Sequence, residues 1–195
     1  MAVKITQNGI DTVQNGIVSS SKIIDDSVST NDLPAGTVLQ VVSTLYTGRT
    51  SFSSPTSDTA VPGGYLAITP KGSNSKFLIT VRYHLEAGSH QDVVYNIQRN
   101  GARINVGGLT AAWSGLGMAG QSYAPAGSDT NSTPEVLFFE TLDTIGSTAG
   151  VAIGYQLVAS GDSTRTIWVN RVAGSDGTGG YENSTSEIII TEIKG

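Results

Sequence analysis

Few residues in this chain combine the type and the spacing that chemistry requires, and each group points to a different kind of site. Gly115-Leu116-Gly117-Met118-Ala119-Gly120 fits the G-x-G-x-x-G pattern of dinucleotide binding. That pattern works only where the glycines join a strand to a helix whose N-terminus meets the pyrophosphate. The flanking sequence carries strand and turn signals, so no cofactor is expected there. Ser19-Ser20-Ser21-Lys22 matches S-x-x-K, but the partner motifs of that nucleophile are missing and the match reads as chance. His84 and His90, with Glu86 and Asp92 nearby, have metal-ligand chemistry, yet lone histidines on the solvent side of a strand are more simply surface residues. A glycosidase needs two carboxylates roughly 5–9.5 Å apart in a groove. Asp143, Asp162, Asp176 and Glu182 fall in turn-like stretches instead, where Asp ordinarily serves backbone geometry. The expectation is a non-enzymatic protein with no catalytic residue, no metal and no cofactor.

One stretch has binding chemistry. Residues 107–134 run for 28 positions without sustained periodicity, and a loop of that length inside a compact domain is uncommon unless it has a function. It holds Trp113 and Tyr123 together with Gln121, Asn131 and many Ser and Gly residues. Flat aromatic faces with amide and hydroxyl groups beside them suit a ligand. The same two rings would equally serve as a cap on the core or as part of a subunit interface, and the sequence leaves both uses open.

The elements that must position this loop are strands. Over residues 76–86, Phe77, Ile79, Val81, Tyr83 and Leu85 alternate with Leu78, Thr80, Arg82, His84 and Glu86, a strict period of two that defines a strand with one buried face. Its apolar positions are aromatic or β-branched, which suits a pleated surface packed on a second layer. Asn100-Gly101 is the favoured type I′ hairpin turn. Folding about it pairs Ile97 with Ile104 and Tyr95 with Val106 on one face, and Gln98 with Arg103 and Asn96 with Asn105 on the other. Further strands are expected at 38–46, 65–69, 135–142, 151–158, 166–171 and 187–193, with 48–64 as a long polar connection. In the last strand Ile188, Ile189, Ile190 and Ile193 are apolar on both faces, so one side needs the core and the other a neighbour. Together these predict an all-β, antiparallel sandwich.

Composition agrees. Charged residues are 14% of the chain and Gly is 24 of 195, the profile of short strands joined by turns, and a body of about 155 residues can bury roughly 68–70% of its unfolded surface. The net charge is −5 with 11 Lys and Arg scattered singly, which argues against nucleic acid as a partner. There is no Cys, which excludes disulfides and thiolate metal sites. No apolar run suits a signal peptide or a membrane span, so a soluble product made in a cytoplasm is expected. Residues 1–33 differ from the rest: Gln7-Asn8-Gly9-Ile10 recurs as Gln14-Asn15-Gly16-Ile17, and Ile5, Ile10, Ile17 and Ile23 stand isolated among polar residues. Such a segment has too little apolar area to offset backbone entropy of ~1–2 kcal/mol per residue. It is either a disordered tail or lies against copies of itself or a docking protein. Pro34-Ala35-Gly36 marks the boundary with a body at 34–195.

The order Ile68-Thr69-Pro70, Ser75-Lys76-Phe77-Leu78-Ile79, Ile97-Gln98-Arg99-Asn100-Gly101, Phe139-Glu140-Thr141-Leu142-Asp143, Tyr155-Gln156-Leu157, Trp168-Val169-Asn170-Arg171 and Glu187-Ile188-Ile189-Ile190-Thr191-Glu192-Ile193 resembles the C-terminal heads of tailed-bacteriophage fibre proteins, notably from phages of cyanobacteria and other aquatic bacteria. Ile24-Asp25-Asp26-Ser27-Val28 and Asn31-Asp32-Leu33 are similar to the short repeats that precede such heads. These are strand and turn signatures, and they speak to fold and virion membership. The resemblance implies a jelly-roll-like β-sandwich head, homotrimeric, on a short intertwined N-terminal stem, in a virion assembled in the host cytoplasm. On that reading Ile5, Ile10, Ile17 and Ile23 hold the stem to other virion proteins. Trp113, Tyr123, Gln121 and Asn131 meet a host-surface glycan or protein receptor. The brevity of the stem keeps a capsid-decorating or head-fibre protein as the alternative, and a small bacterial carbohydrate-binding module as a third. Neither nucleic acid nor membrane insertion is expected.

Overall fold

The period-two run that begins at Lys76 forms β6 (Lys76–Ala87), the longest strand among the described residues. Phe77, Ile79, Val81, Tyr83 and Leu85 are buried on one face, each worth about 1.5–3 kcal/mol of apolar burial. The computed structural model describes residues 5–6, 9–10, 28–54, 56–87, 93–106, 115–117, 134–161, 164–173 and 182–195, and the chain divides into two units, 1–34 and 35–195. In the first unit β1 (Ile5–Thr6) and β2 (Gly9–Ile10) pair antiparallel with Ile5 opposite Ile10. A single 3-10 turn follows at Thr30–Asp32, where Ser29 donates its N–H and hydroxyl to Asp32 Oδ2 at 2.8 and 2.7 Å.

The second unit is an antiparallel β-sandwich. In one sheet β6 is flanked by β9 (Glu135–Asp143) on one edge and by β12 (Ser186–Ile193) on the other, with β3 (Val38–Tyr46) beyond β12. Past the end of β12, the same edge of β6 pairs with β11 (Arg165–Val169), which pairs in turn with β4 (Thr50–Ser54). The second sheet runs β5 (Thr59–Ile68), β10 (Ile153–Gly161), β7 (Val93–Arg99), β8 (Ala102–Arg103). Its inward residues Tyr95, Ile97, Ile153, Tyr155, Leu157 and Ala159 join the β6 face in one apolar cluster. Phe77 and Tyr155 meet across it with ring centroids 6.1 Å apart and tilted, a favourable aromatic geometry. The pairing of Ile190 with Ile79 buries Ile188 and Ile190 in this core, and leaves Ile189 and Ile193 half-buried on the outer side.

Two local expectations change. Residues 48–64 are not one polar connection, because they contain β4 and the first half of β5. Pro62, Gly63 and Gly64 sit inside a strand because β5, among the described residues, pairs only with β10, through a register irregularity at Gln156 and Val158. Edge strands and bulges are where Pro and Gly are tolerated. Gly63 has φ +71, and a Cβ there would lie 2.2 Å from the Tyr46 ring. The Asn100-Gly101 hairpin does form, with Gln98 opposite Arg103 and the Ile104 N–H donating to Ile97 O at 3.0 Å. The expected Tyr95–Val106 and Asn96–Asn105 pairs do not: Asn105, at φ +55, turns the chain away. Its amide donates to Thr141 Oγ1 and Leu142 O of β9, both at 2.8 Å, and Tyr95 bridges to Gly117.

Phe77→Ala is expected to cost about 3–5 kcal/mol, or roughly 6–20 °C in melting temperature for a chain of this size. Thermal unfolding followed by circular dichroism checks it, and a shift of under about 2 °C would contradict the central place given to β6.

Candidate functional site

Register and hydrogen bonds give the body two distinct ends. The chain enters it at the near end, where the Gly36 N–H donates to Lys194 O and the Lys194 N–H to Thr37 O, both at 2.8 Å. The turn between β5 and β6 lies there too, held by a carboxylate. Glu192, fully buried, accepts from the N–H groups of Lys71 and Gly72 at 3.0 Å and from Ser75 Oγ and Gln40 Nε2 at 2.6 Å. Burial alone would raise its pKa, but these four donors together outweigh it and hold the carboxyl below the ordinary range. Ser147 locks the β9–β10 connection to the same turn, accepting from the Ser75 N–H at 2.9 Å and donating to Gly72 O at 3.0 Å.

Asp143, read from the sequence as a turn residue, is the buried last residue of β9. It accepts from Arg99 Nη1 at 2.7 Å and from the Tyr155 hydroxyl at 2.8 Å, so one carboxylate joins the two sheets. Burial first, and then the Asp143 charge and hydrogen bond, push the Tyr155 phenol well above its ordinary pKa. A surface groove beside this pair is lined by Asn100, Ile145, Ser147, Thr148 and Val151, and its one charged lining residue is Arg99, already committed to Asp143.

The far end is organised by Asn170, buried at φ +58, a backbone region in which Asn is enriched. Its N–H donates to His84 O at 3.0 Å, its amide donates to Tyr46 O at 2.9 Å and Gly48 O at 3.1 Å, and its Oδ1 accepts from Ser186 Oγ at 2.5 Å. That Oγ accepts the His84 N–H at 3.0 Å. One asparagine thereby ties together β3, β6 and β12 at the point where β11 ends. His84 Nδ1 lies 2.9 Å from Thr185 O. Glu86, which alternation assigns to the solvent face, is buried and accepts the Ala173 N–H at 2.8 Å, because residues 170–173 fold over it. His90 and Asp92 lie outside the described residues. Among the described residues no group of three or more His, Cys, Asp or Glu is placed to hold a metal.

The glycine motif has a structural use. The Tyr95 N–H donates to Gly117 O at 2.8 Å and the Leu116 N–H to Tyr95 O at 2.9 Å. A Cβ on Gly115 would fall 2.6 Å from Val94 Cβ, and one on Gly117 2.6 Å from Phe139 Cδ1. The missing side chains let the loop pass between β7 of one sheet and β9 of the other while Leu116 packs on the core. Close backbone approach explains Gly115 and Gly117.

Trp113, Gln121, Tyr123 and Asn131 lie outside the described residues, as do Ile17 and Ile23 of the leader. What the structure gives is the frame around them. Residues 118–133 connect Gly117, beside Tyr95, Leu137 and Phe139, to Pro134 at the far-end start of β9, where Glu135 faces Leu85. Residues 88–92, 162–163 and 174–181 also connect strand ends on this side, since Val93 pairs with Gly161 and Ala87 with Ile167. The near end carries the connections 69–75, 100–101 and 144–152, none longer than nine residues.

These features define an antiparallel β-sandwich with a locked near end, where its chain enters, and a far end from which its long connections spring. No protein-family model matches the chain, nor does any curated protein. Sequence reading missed Glu192, Asp143 and Asn170. For the two carboxylates a signal existed: each is a charged residue in phase with buried positions, after Ile188 and Ile190 in one strand and after Leu137 and Phe139 in the other.

Because the folded pKa of Glu192 lies below its unfolded value of about 4.3, its stabilisation is complete above that value and is lost as pH falls through the folded pKa. Glu192→Gln, which turns an acceptor oxygen into a donor facing backbone N–H groups, is expected to cost about 1.5–3 kcal/mol near neutral pH. It should also flatten the acid limb of the stability curve. Melting temperature measured from about pH 2.5 to 7 reads both effects, and an acid limb as steep as in the parent chain would contradict the assignment.

Proposed function

We propose that this chain is a non-enzymatic bacteriophage virion protein of the fibre type, a homotrimeric head held to other virion proteins through residues 1–33 and presenting its far end to a host-surface glycan or protein. The observation that carries this reading is the polarity of the body. The segment after the leader joins the sandwich at Gly36 and Thr37, beside Lys194, and the two longest connections, 104–134 and 170–185, lead into strands that begin on the opposite side. A particle-bound adhesin needs that division: attachment at one end, recognition loops on a rigid scaffold at the other. The near end has the rigidity such a base requires, through Glu192, Ser147 and the Arg99–Asp143–Tyr155 group. The sequence resemblance to phage fibre heads supports the same reading.

Within this proposal Trp113, Tyr123, Gln121 and Asn131 supply the receptor surface. The test uses the labelled full-length chain on glycan arrays and on cells of aquatic bacteria, with Trp113→Ala beside it. The expected result is binding by the parent chain and a loss of about tenfold or more in the variant, at unchanged melting temperature. A stability loss of about 3–5 kcal/mol would place the ring in the core or an interface instead. Binding to capsid shells and not to cells would make the protein a capsid decoration.

A further inference from the structure

We propose that the outer face of the four strands β9, β6, β12 and β3 is buried against a second copy of this chain. The inference rests on the homo-oligomeric part of the reading above and names the surface it uses. The registers set Leu142, Leu78, Thr191 and Val41 in one row across the four strands, and Phe138, Arg82, Glu187 and Leu45 in another. Between these rows lies Ile189, the outward member of the two-sided isoleucine run. Val41, Leu45 and Phe138 are 58%, 59% and 60% exposed. Large apolar side chains gathered on one sheet face mark an interaction site.

Three features select a second copy as the occupant. The first is charge: the chain carries −5, whereas this face holds two cations, Lys76 and Arg82, against two anions, Glu140 and Glu187. Its anions are engaged within the face, Arg82 with Glu187 at 3.4 Å and Thr80 Oγ1 with Glu140 at 2.8 Å. Two copies of an acidic chain meet without repulsion on such a neutral face. The second is size, because four strands about 4.8 Å apart and some eight residues long at ~3.3 Å cover roughly 500 Å² in projection, the same order as the ~800 Å² of accessible surface each partner buries in a standard interface. The third is contrast with the opposite outer face, where Asp58 accepts from Arg103 Nε at 2.7 Å and from Gln98 Nε2 at 2.9 Å. There the polar groups are already paired with one another and little exposed.

The experiment measures the mass of the full-length chain in solution by light scattering over a micromolar dilution series. Phe138→Lys and Leu45→Lys probe opposite borders of the face, and Tyr65→Lys, 58% exposed on the other sheet, is the control. Each variant is checked for an unchanged far-ultraviolet circular dichroism spectrum, and Val41→Thr, which suits a strand, covers the case in which a Lys variant does not fold. The parent chain and Tyr65→Lys are expected at a multiple of 20.2 kDa. Phe138→Lys and Leu45→Lys should dissociate at concentrations about tenfold or more higher than the parent, because each puts a charge into an apolar contact. Folded face variants that dissociate like the parent would overturn this surface and leave the oligomeric reading standing. A parent chain that is monomeric throughout would overturn both.

Discussion

The sandwich depends on the apolar face of β6. Among the described strands it alone is paired to three others, β9 along one edge and β12 and β11 in succession along the other, while its five inward side chains meet the facing sheet. Sheet continuity and inter-sheet packing therefore rest on the same residues. A one-residue slip of β6 would send Arg82 and His84 inward and expose Tyr83, which fixes its register far more tightly than its backbone hydrogen bonds would. The registers of β9 and β12 follow from it, and through β12 that of β3.

Where the apolar face runs out, polar side chains take over. Glu192, Asp143 and Asn170 each stand at or near a strand end, the two carboxylates in phase with core residues, and each is saturated with hydrogen bonds. Burying a carboxylate is costly unless every lone pair is met. The consequence is geometric specificity: a turn displaced by an ångström would strip Glu192 of its donors, so the connections at 69–75 and 144–152 are tied to one position.

The strand framework was legible wherever one face is buried in the core of the same chain and the other is not, because period-two alternation is a direct record of that difference. β3, β6, β9 and β12 illustrate this, and so does the two-sided reading of Ile188 to Ile193. β4 and the start of β5 were not legible, since Pro62 and the two glycines after it signal a break, and only an edge position with a shifted register makes them compatible with a strand. The hairpin was legible as far as Ile104. Beyond it Asn105 obeys a partner in the other sheet, which no local pattern records. Gly115 and Gly117 matched a ligand motif for a reason that is steric and depends on neighbours distant in sequence. The binding role of Trp113, Tyr123, Gln121 and Asn131 rests on composition and loop length, and the structure contributes the frame at Gly117 and Pro134.

The meeting of Gly36 and Thr37 with Lys194 makes the body a nearly closed circuit. β3 and β12, the first and last strands of the sandwich, are neighbours along their whole length. Topologically, then, the order in which the strands are written is arbitrary. A short linker from Gly195 to Ala35 would close the ring, and it could be reopened at Asn100-Gly101, an exposed turn at the same end, without dividing any long ladder. Tolerance of such circular permutation is a common property of domains whose termini lie close together, and here it would give a head whose new ends still leave on the side away from the long loops.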